Sequence, residues 1–228
     1  MPAPISIIIP AYNAQANLPD CLASLMPGLE GGLIREVILV DGGSDDHTTK
    51  IAESTGANIL IAPEKGRSAQ LRHGADHARG DWLLFLHADT TLSPEWVERT
   101  SAHITERPNK AAAFTLAFRS DHPMAKTVAR RANWRSRVLG LPYGDQGLLV
   151  SRTLYDQVGG FPDVPLMEDV ELVRAIGKKR LSILSAEART DASKYERDGW
   201  RKRSWHNASL ITRYLLGASP EKLAKHYT

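Results

Sequence analysis

The apolar segment Ile5–Ile9 places the strongest constraint on the fold. It is a run of isoleucines interrupted only by Ser6, as expected for a strand that is buried on both faces of a sheet. Further short apolar runs alternate with segments that carry helical signals, and strand–helix–strand repeats with short links predict a parallel sheet with right-handed crossovers. The predicted strands are 5–9, 37–40, 59–61 and 82–86, and the predicted helices are 17–26, 45–54, 67–78 and 93–106.

The second half of the sequence is less regular. Its predicted strands are 111–118, 147–150 and 181–184, and its predicted helices are 125–138, 170–176 and 200–216. The last helix has a wide apolar face, which would pack on the domain, on a partner such as a second copy of the chain, or on lipid. We find no internal repeat and no linker. The pattern predicts one α/β domain over residues 1–190 and a helical extension over 191–228.

Cysteine content and the N-terminus indicate a cytoplasmic protein. Cys21 is the one cysteine, so no disulfide can form within the chain. It lies among leucines, as expected of a core residue. The N-terminus has no charged segment followed by a secretory apolar region, and no apolar stretch reaches the roughly 18 residues of a membrane span.

The formal net charge is only +3, but basic residues accumulate towards the C-terminus. Such a segment suits a phosphate-bearing ligand or a peripheral contact with an anionic membrane, and it could equally be a solvated helix face. Lys194, Arg197 and Arg201 are candidates to close over phosphates. The basic residues lack interleaved aromatic residues, so a nucleic acid partner is not expected.

Two predicted strands end in polar residues that could bind a nucleotide. Pro10 ends the first strand and leaves Tyr12 and Asn13 at its carboxyl end, where a tyrosine ring can stack on a base. A plain strand-to-helix turn is the alternative. Asp41 follows the second strand and can accept hydrogen bonds from a base or ribose, while Asp45 would cap the next helix.

The fourth predicted strand runs into His87-Ala88-Asp89. Because side chains alternate along an extended chain, His87 and Asp89 project to one side. The carboxyl ends of parallel strands are where open α/β sheets bind ligands. Asp89 offers a hard oxygen ligand, and the imidazole of His87 is compatible with Mn²⁺ but less suited to Mg²⁺. This pair therefore predicts a divalent cation site that would neutralise a diphosphate.

Acidic residues also open the helix predicted at 170–176. Glu168 and Asp169 would stabilise a helix N-terminus electrostatically, which is one reading. The alternative interpretation is that Asp169 is catalytic and accepts a proton from an attacking hydroxyl group. The sequence lacks the motifs of several other enzyme and binding classes. There is no G-x-G-x-x-G after the first strand, no G-x-x-x-x-G-K-[ST], no G-x-S-x-G and no paired C-x-x-C.

These motifs, in this order, resemble the family 2 glycosyltransferases of the GT-A fold over residues 4–190. The resemblance implies a Rossmann-like, mostly parallel sheet and inverting, metal-dependent transfer from a nucleotide-diphospho-sugar to an acceptor hydroxyl. It implies nucleotide-sugar contacts from the first-strand loop (Pro10, Ala11, Tyr12 and Asn13), from Asp41, Arg67 and Arg72, and from His87 and Ala88. It further implies Asp89, with His87, as metal ligand, Asp169 as general base and Glu168 as its catalytic neighbour.

The sequence departs from the family pattern at His87, where the first aspartate of Asp-x-Asp is usual, and at Arg72, where asparagine is common. The segments around His87 and Tyr143–Gly147 resemble most a compact bacterial subgroup, often labelled arsenosugar-biosynthesis glycosyltransferases. In that subgroup Tyr143, Asp145 and Gln146 would border the acceptor pocket. A sugar-1-phosphate nucleotidyltransferase and a non-catalytic sugar-nucleotide-binding protein remain alternatives.

Overall fold

A computed structural model describes residues 3–224 as an eight-stranded sheet flanked by helices. The strand order is β3-β2-β1-β4-β7-β6-β8-β5. This mixed α/β architecture confirms the predicted fold class. The strands are β1 (Ile5–Ala11), β2 (Ile34–Asp41), β3 (Asn58–Ile61), β4 (Trp82–Phe85), β5 (Thr90–Leu92), β6 (Ala111–Phe118), β7 (Leu148–Ser151) and β8 (Leu181–Thr190).

β1 is the buried centre of the parallel half. All seven of its residues are buried, because β2 and β4 pair with it in parallel and helices cover both faces. The register pairs Ala11 with Asp41, so β1 and β2 end at the same edge of the sheet. Polar groups that follow these two strands therefore lie together at this edge.

Eleven α-helices accompany the sheet within the described part of the chain. They are α1 (Leu18–Ala23), α2 (Met26–Glu30), α3 (Thr48–Ser54), α4 (Arg67–His77), α5 (Trp96–Glu106), α6 (Pro123–Leu139), α7 (Arg152–Gln157), α8 (Glu168–Ile176), α9 (Ser193–Asp198), α10 (Trp200–Leu215) and α11 (Pro220–Ala224). One apolar core contains Leu18 and Trp96, and a second contains Leu71 and Phe85. Cys21 belongs to the first core, where burial raises the pKa of its thiol to about 12.

Two predicted helices have different bounds for local reasons. The helix predicted over residues 17–26 is two short helices, since Pro27 lacks an amide hydrogen and its ring excludes a continuous helical turn before it. The helix predicted from Asp45 begins at Thr48. Asp46, and not Asp45, accepts the hydrogen bond from the Thr48 amide at 2.9 Å, so residues 45–47 form a turn.

The second half contains the strand pairings that the sequence did not predict. β7 is antiparallel to both β4 and β6, and the short strand β5 is antiparallel to β8. β8 extends to Thr190, well beyond the predicted end at Leu184, because its last three residues pair with β5. This pairing brings Thr190 beside the chain that follows β4.

The helical extension packs on the α/β domain. Leu210 and Tyr214 of α10, with Leu223 of α11, pack against Leu166 and Val170. The Tyr214 hydroxyl donates a hydrogen bond of 2.8 Å to Glu171 Oε1. Part of the predicted apolar face is therefore covered by the same chain. Among the described residues, no helix has the length and apolar character required to cross a bilayer.

Candidate functional site

A cavity of about 170 Å³ lies between the carboxyl edge of the sheet and the extension. Three of the segments that contribute to its polar wall are the turn after β4, the loop before β7 and the start of α8, which are distant in sequence. Asp89 and Asp169 line this one cavity, as the sequence hypothesis requires. The polar and charged residues that line it are Arg67, His87, Asp89, Tyr143, Asp145, Asp169, Thr190, Asp191, Lys194, Tyr195, Arg203 and Asn207.

His87 and Asp89 enter the cavity from the turn between β4 and β5. Among residues 3–224, the hydrogen bonds that Asp89 Oδ1 accepts are long: 3.2 Å from Thr90 Oγ1 and 3.4 Å from Thr190 Oγ1. Burial, reinforced by Arg67, lowers the pKa of His87 to about 4. The imidazole is therefore neutral near pH 7 and can offer a lone pair. Ala88, between them, is buried.

Asp169 is held by the backbone at the start of α8. Its Oδ2 accepts a hydrogen bond from the Gly144 amide at 2.7 Å, and its Oδ1 accepts one from the Val170 amide at 2.8 Å. The preceding Met167 adopts the left-handed conformation (φ 68°), a costly backbone state for a residue with a side chain. This turn directs Asp169 into the cavity.

Glu168 is buried and forms an ion pair with Arg67. Burial raises the pKa of the Glu168 carboxyl, and the Arg67 guanidinium opposes that rise. Arg67 itself lines the cavity from the start of α4. The predicted catalytic Glu168 is therefore placed as the partner that orients Arg67.

The loop before β7 provides a third carboxylate. Asp145 Oδ1 is buried and has no hydrogen-bond partner within residues 3–224. The pKa of Asp145 is raised to about 6, mainly by burial; Arg135 opposes the rise, and the nearby Asp169 and Asp89 carboxylates add to it. Tyr143 lies under the Arg135 guanidinium, 3.4 Å from the ring centroid. An unsatisfied carboxylate oxygen at a cavity wall is available to a ligand.

Gln146 was expected to border the acceptor pocket, but it does not line the cavity. Its side chain is fully buried, with Nε2 donating to the Phe114 carbonyl at 2.8 Å and Oε1 accepting from Ser136 Oγ at 2.6 Å. These hydrogen bonds fix the loop that carries Tyr143 and Asp145, so Gln146 stabilises the fold and does not face the cavity. The neighbouring Tyr143 and Asp145 are on the cavity wall.

α9 and α10 supply a wall that sequence reasoning largely missed. Lys194, among the basic candidates, lines the cavity, whereas Arg197 is exposed beside Asp198 and Arg201 is exposed. Arg203 is buried and, with Asn207, also lines the cavity. The helical spacing of the sequence could have indicated that Arg203 and Asn207 face the domain, because they share a helix face with the buried residues Trp200, Leu210 and Tyr214.

The predicted nucleotide loop lies at the edge formed by β1 and β2, outside the cavity lining. Tyr12 exposes 66% of its surface there, whereas Pro10 and Ala11 are buried in β1. Asn13 has a left-handed backbone (φ 48°), and its Oδ1 accepts from the Asp45 amide at 3.0 Å. The exposed tyrosine ring leaves an aromatic surface open to a ligand.

Asp41 shapes the turn after β2. Its Oδ2 accepts from the amides of Gly43 and Ser44 at 3.0 and 2.9 Å, and its Oδ1 accepts from the Ser44 hydroxyl. The predicted Arg72 lies elsewhere: its guanidinium pairs with the exposed Asp163 at 2.9 Å, and it does not line the cavity.

The site chemistry fits a divalent cation that is held jointly with a ligand. Within residues 3–224, no three His, Cys, Asp or Glu side chains converge closely enough to hold a metal alone. In the same part of the chain, however, Asp145 Oδ1 has no hydrogen-bond partner, Asp89 Oδ1 accepts two long hydrogen bonds, and His87 carries a neutral imidazole. Hard oxygen ligands and one nitrogen suit Mn²⁺.

The chain matches the family model described as glycosyl transferase family 2 over residues 6–161. Because this match covers more than half of the sequence, the chain belongs to glycosyltransferase family 2, and the predicted resemblance is confirmed. The arsenosugar subgroup stays a prediction.

Two curated relatives illustrate the range of the family. A PGL/p-HBAD biosynthesis glycosyltransferase of Mycobacterium tuberculosis is 40% identical over 114 residues, which is 46% of this chain and 44% of the relative. An undecaprenyl-phosphate 4-deoxy-4-formamido-L-arabinose transferase of Yersinia pestis is 29% identical over 157 residues, covering 64% of this chain and 47% of the relative. The chain therefore spans less than half the length of these relatives.

Solved structures confirm the GT-A type of fold. TarS residues 1–349 of Staphylococcus aureus in complex with UDP has a TM-score of 0.65 at 20% identity, over 84% of this chain and 62% of that one. Glucosyl-3-phosphoglycerate synthase of M. tuberculosis, solved with Mn²⁺, UDP and glucosyl-3-phosphoglycerate, has a TM-score of 0.60 at 21% identity, over 82% of this chain and 70% of that one.

Proposed function

We propose that this chain is an inverting glycosyltransferase that moves a sugar from a nucleotide-diphospho-sugar to an acceptor hydroxyl. The observation that carries the proposal is the single cavity lined by Asp89, His87, Asp145 and Asp169. Direct displacement at a sugar carbon is accelerated by a proton acceptor on the acceptor side and by charge neutralisation on the leaving-group side. One cavity offers groups for both tasks.

In the proposed mechanism the nucleotide lies across the carboxyl ends of β1 and β2. The exposed Tyr12 ring would stack on the base, and the turn ordered by Asp41 would contact the base or ribose. UDP is the first nucleotide to test, because TarS and glucosyl-3-phosphoglycerate synthase have been solved with it. The diphosphate would then reach the edge of the cavity beside Arg67 and Lys194.

Asp169 is the proposed general base. Two backbone amides fix its carboxylate, so a proton-accepting oxygen keeps a constant position while the acceptor hydroxyl attacks. Tyr143 and Asp145 would contact the acceptor or the transferred sugar from the facing loop. Asp89, with His87, would hold Mn²⁺ or Mg²⁺, which when bound neutralises negative charge that develops on the departing diphosphate.

The test combines ligand binding with product analysis. We expect UDP and UDP-sugars to raise the thermal stability of the chain, more strongly with Mn²⁺ than with EDTA. A UDP-sugar with the correct acceptor should release UDP and yield a glycoside of inverted configuration. Formation of pyrophosphate from a nucleoside triphosphate would instead identify a nucleotidyltransferase. Nucleotide binding without transfer or donor hydrolysis under any metal would identify a non-catalytic binding protein.

A further inference from the structure

The outward face of α6 has an unusual composition. Trp134 exposes 59% of its surface, although tryptophan is normally well buried. Three arginines lie one helical turn away from it on the same helix face: Arg130 and Arg131 precede Trp134 by four and three residues, and Arg137 follows it by three. The opposite side of the helix packs on β6, where Asn133 Nδ2 and Oδ1 bond to the Leu116 backbone. The exposed side is therefore not part of the core.

The charge of this face is uniformly positive. α6 contains no aspartate or glutamate over its whole length. Arg130, Arg131 and Arg137 form no ion pair within residues 3–224, in contrast to surface arginines such as Arg99 and Arg189. Three exposed guanidinium groups that form no ion pair in the described part of the chain favour an anionic partner.

Apolar side chains extend the face at the end of α6. Val138 and Leu139 expose 44% and 49% of their surfaces. Lys178 Nζ donates to the Val138 carbonyl at 2.6 Å, so the neighbouring basic segment adjoins this end of the helix. We call Arg130, Arg131, Trp134, Arg137, Val138 and Leu139 the Trp134 face.

We propose that the Trp134 face docks on the surface of an anionic lipid bilayer. Indole rings with an apolar body and a polar N–H favour the membrane–water interface, and arginines beside them bind anionic headgroups. A single convex helix with one tryptophan and an apolar end can insert shallowly into a bilayer. It offers neither the groove nor the row of aromatic platforms that bind single-stranded nucleic acid.

The position of α6 gives this docking a consequence for the active site. The helix ends at Leu139, and the chain passes through the left-handed Gly140 (φ 68°) to Tyr143 and Asp145 on the cavity wall. Arg135 connects helix and loop, because its Nε donates to the Leu141 carbonyl at 2.8 Å. A bilayer at this face would hold an amphiphilic acceptor near the cavity. That consequence rests on the proposed function, whereas the docking itself does not.

Vesicle co-sedimentation of the full chain tests the docking. We expect binding to vesicles that contain phosphatidylglycerol, little binding to pure phosphatidylcholine, and a steep loss of binding with added salt. The triple variant Arg130→Gln/Arg131→Gln/Arg137→Gln should bind the anionic vesicles more weakly by a factor on the order of 100. Its stabilisation by UDP should be unchanged, which separates this test from that of the proposed function.

The matched control removes three exposed basic residues elsewhere, Arg35→Gln/Lys50→Gln/Lys110→Gln, and has the same net charge as the triple variant. We expect it to keep most of the vesicle binding. An equal loss in both variants would reduce the effect to net charge and overturn the proposal. Equal binding to neutral and anionic vesicles, no binding at all, or tighter binding to single-stranded RNA than to vesicles would do the same.

Trp134 itself can be monitored by fluorescence. Trp134 and Trp205 are the large exposed indoles of the described chain, and the Trp205→Phe variant leaves Trp134 as the reporter. We expect bromine-labelled lipids in anionic vesicles to quench this reporter. The further substitution Trp134→Phe should remove the quenching. If quenching persists without Trp134, or is absent with it, another surface contacts the lipid and the assignment of this face is wrong.

Discussion

The edge formed by β1 and β2 and the cavity beside α9 and α10 use polar side chains in opposite ways. At the edge, the Asp41 carboxylate accepts its hydrogen bonds from the turn that follows β2. In the cavity, Asp145 keeps a buried oxygen with no partner within residues 3–224. A carboxylate satisfied by its own turn shapes the backbone, whereas an unsatisfied carboxylate is available for a ligand.

The two regions also share one structural device, a buried glutamine that joins separate segments. Gln70 Nε2 donates to the carbonyls of Ala11 and Val40 and so ties β1 to β2. Gln146 joins its loop to β6 and α6 through Phe114 and Ser136. The comparison indicates that the edge is a preformed platform of hydrogen-bonded turns, and that the cavity holds an unsatisfied carboxylate oxygen on a fixed frame.

Asp169→Asn should have the largest effect, because it removes the proposed base and leaves the platform intact. We expect transfer to fall by a factor on the order of 10²–10⁴ while the dissociation constant of the donor stays close to wild type. Initial rates of UDP release and calorimetric titration measure the two quantities. Asp156→Asn, an exposed aspartate on α7, is the control. An equal loss of donor binding would contradict the assignment.

Asp89→Asn should act on the other side of the cavity. We expect the gain in donor affinity from Mn²⁺ to fall by a factor on the order of 100, and the affinity measured in EDTA to stay unchanged. Titrations with and without the cation give both values. The exposed Asp121→Asn variant serves as the comparison. Donor binding that remains fully dependent on Mn²⁺ in Asp89→Asn would exclude Asp89 as a ligand of the cation.

The two regions differ in how far the sequence predicts them. The edge follows from local signals, since apolar strands place the residues that follow them at the sheet edge. The first strand was predicted to end at Pro10, but it pairs with β2 through Pro10 and ends one residue later, at Ala11. The cavity depends on long-range packing: β5 pairs with β8, and α10 folds back so that Arg203 and Asn207 reach the wall. Period and composition do not specify which distant segments meet, so the buried position of Gln146 and the ion pair of Glu168 were not predictable.

Leucine at the two buried glutamines would test whether the regions are independent. Gln70→Leu and Gln146→Leu should each lower the free energy of unfolding by about 2 kcal/mol, because each leaves buried polar groups without a partner. Gln70→Leu should weaken donor binding. Gln146→Leu should mainly lower the rate of transfer, since it releases the loop that carries Asp145. Chemical denaturation and donor titration measure both effects. If Gln146→Leu weakens donor binding as much as Gln70→Leu does, the two regions are coupled.

Asp145→Asn should have the smallest effect. Unlike the two glutamine variants, it should increase the stability of the fold. The pKa of Asp145 is about 6 in the folded chain against an ordinary value of 3.8, so ionisation costs the folded state more than the unfolded state. At pH below the ordinary value the carboxyl is protonated in both states, and the variant should match the wild type. As the pH rises through about 6 the cost develops fully, and the variant should become more stable by an amount on the order of 1 kcal/mol.

Denaturation curves recorded in EDTA across this pH range measure the difference in stability between the variant and the wild type. The difference should be smaller in the presence of Mn²⁺ and UDP, because a bound cation would offset the repulsion from Asp89 and Asp169. The corresponding change at the edge, Asp41→Asn, should behave in the opposite way and destabilise the fold at neutral pH, because its carboxylate accepts the hydrogen bonds of the turn. A stabilising Asp41→Asn or a destabilising Asp145→Asn at neutral pH would remove the distinction between a carboxylate that builds the backbone and one that is kept for a ligand.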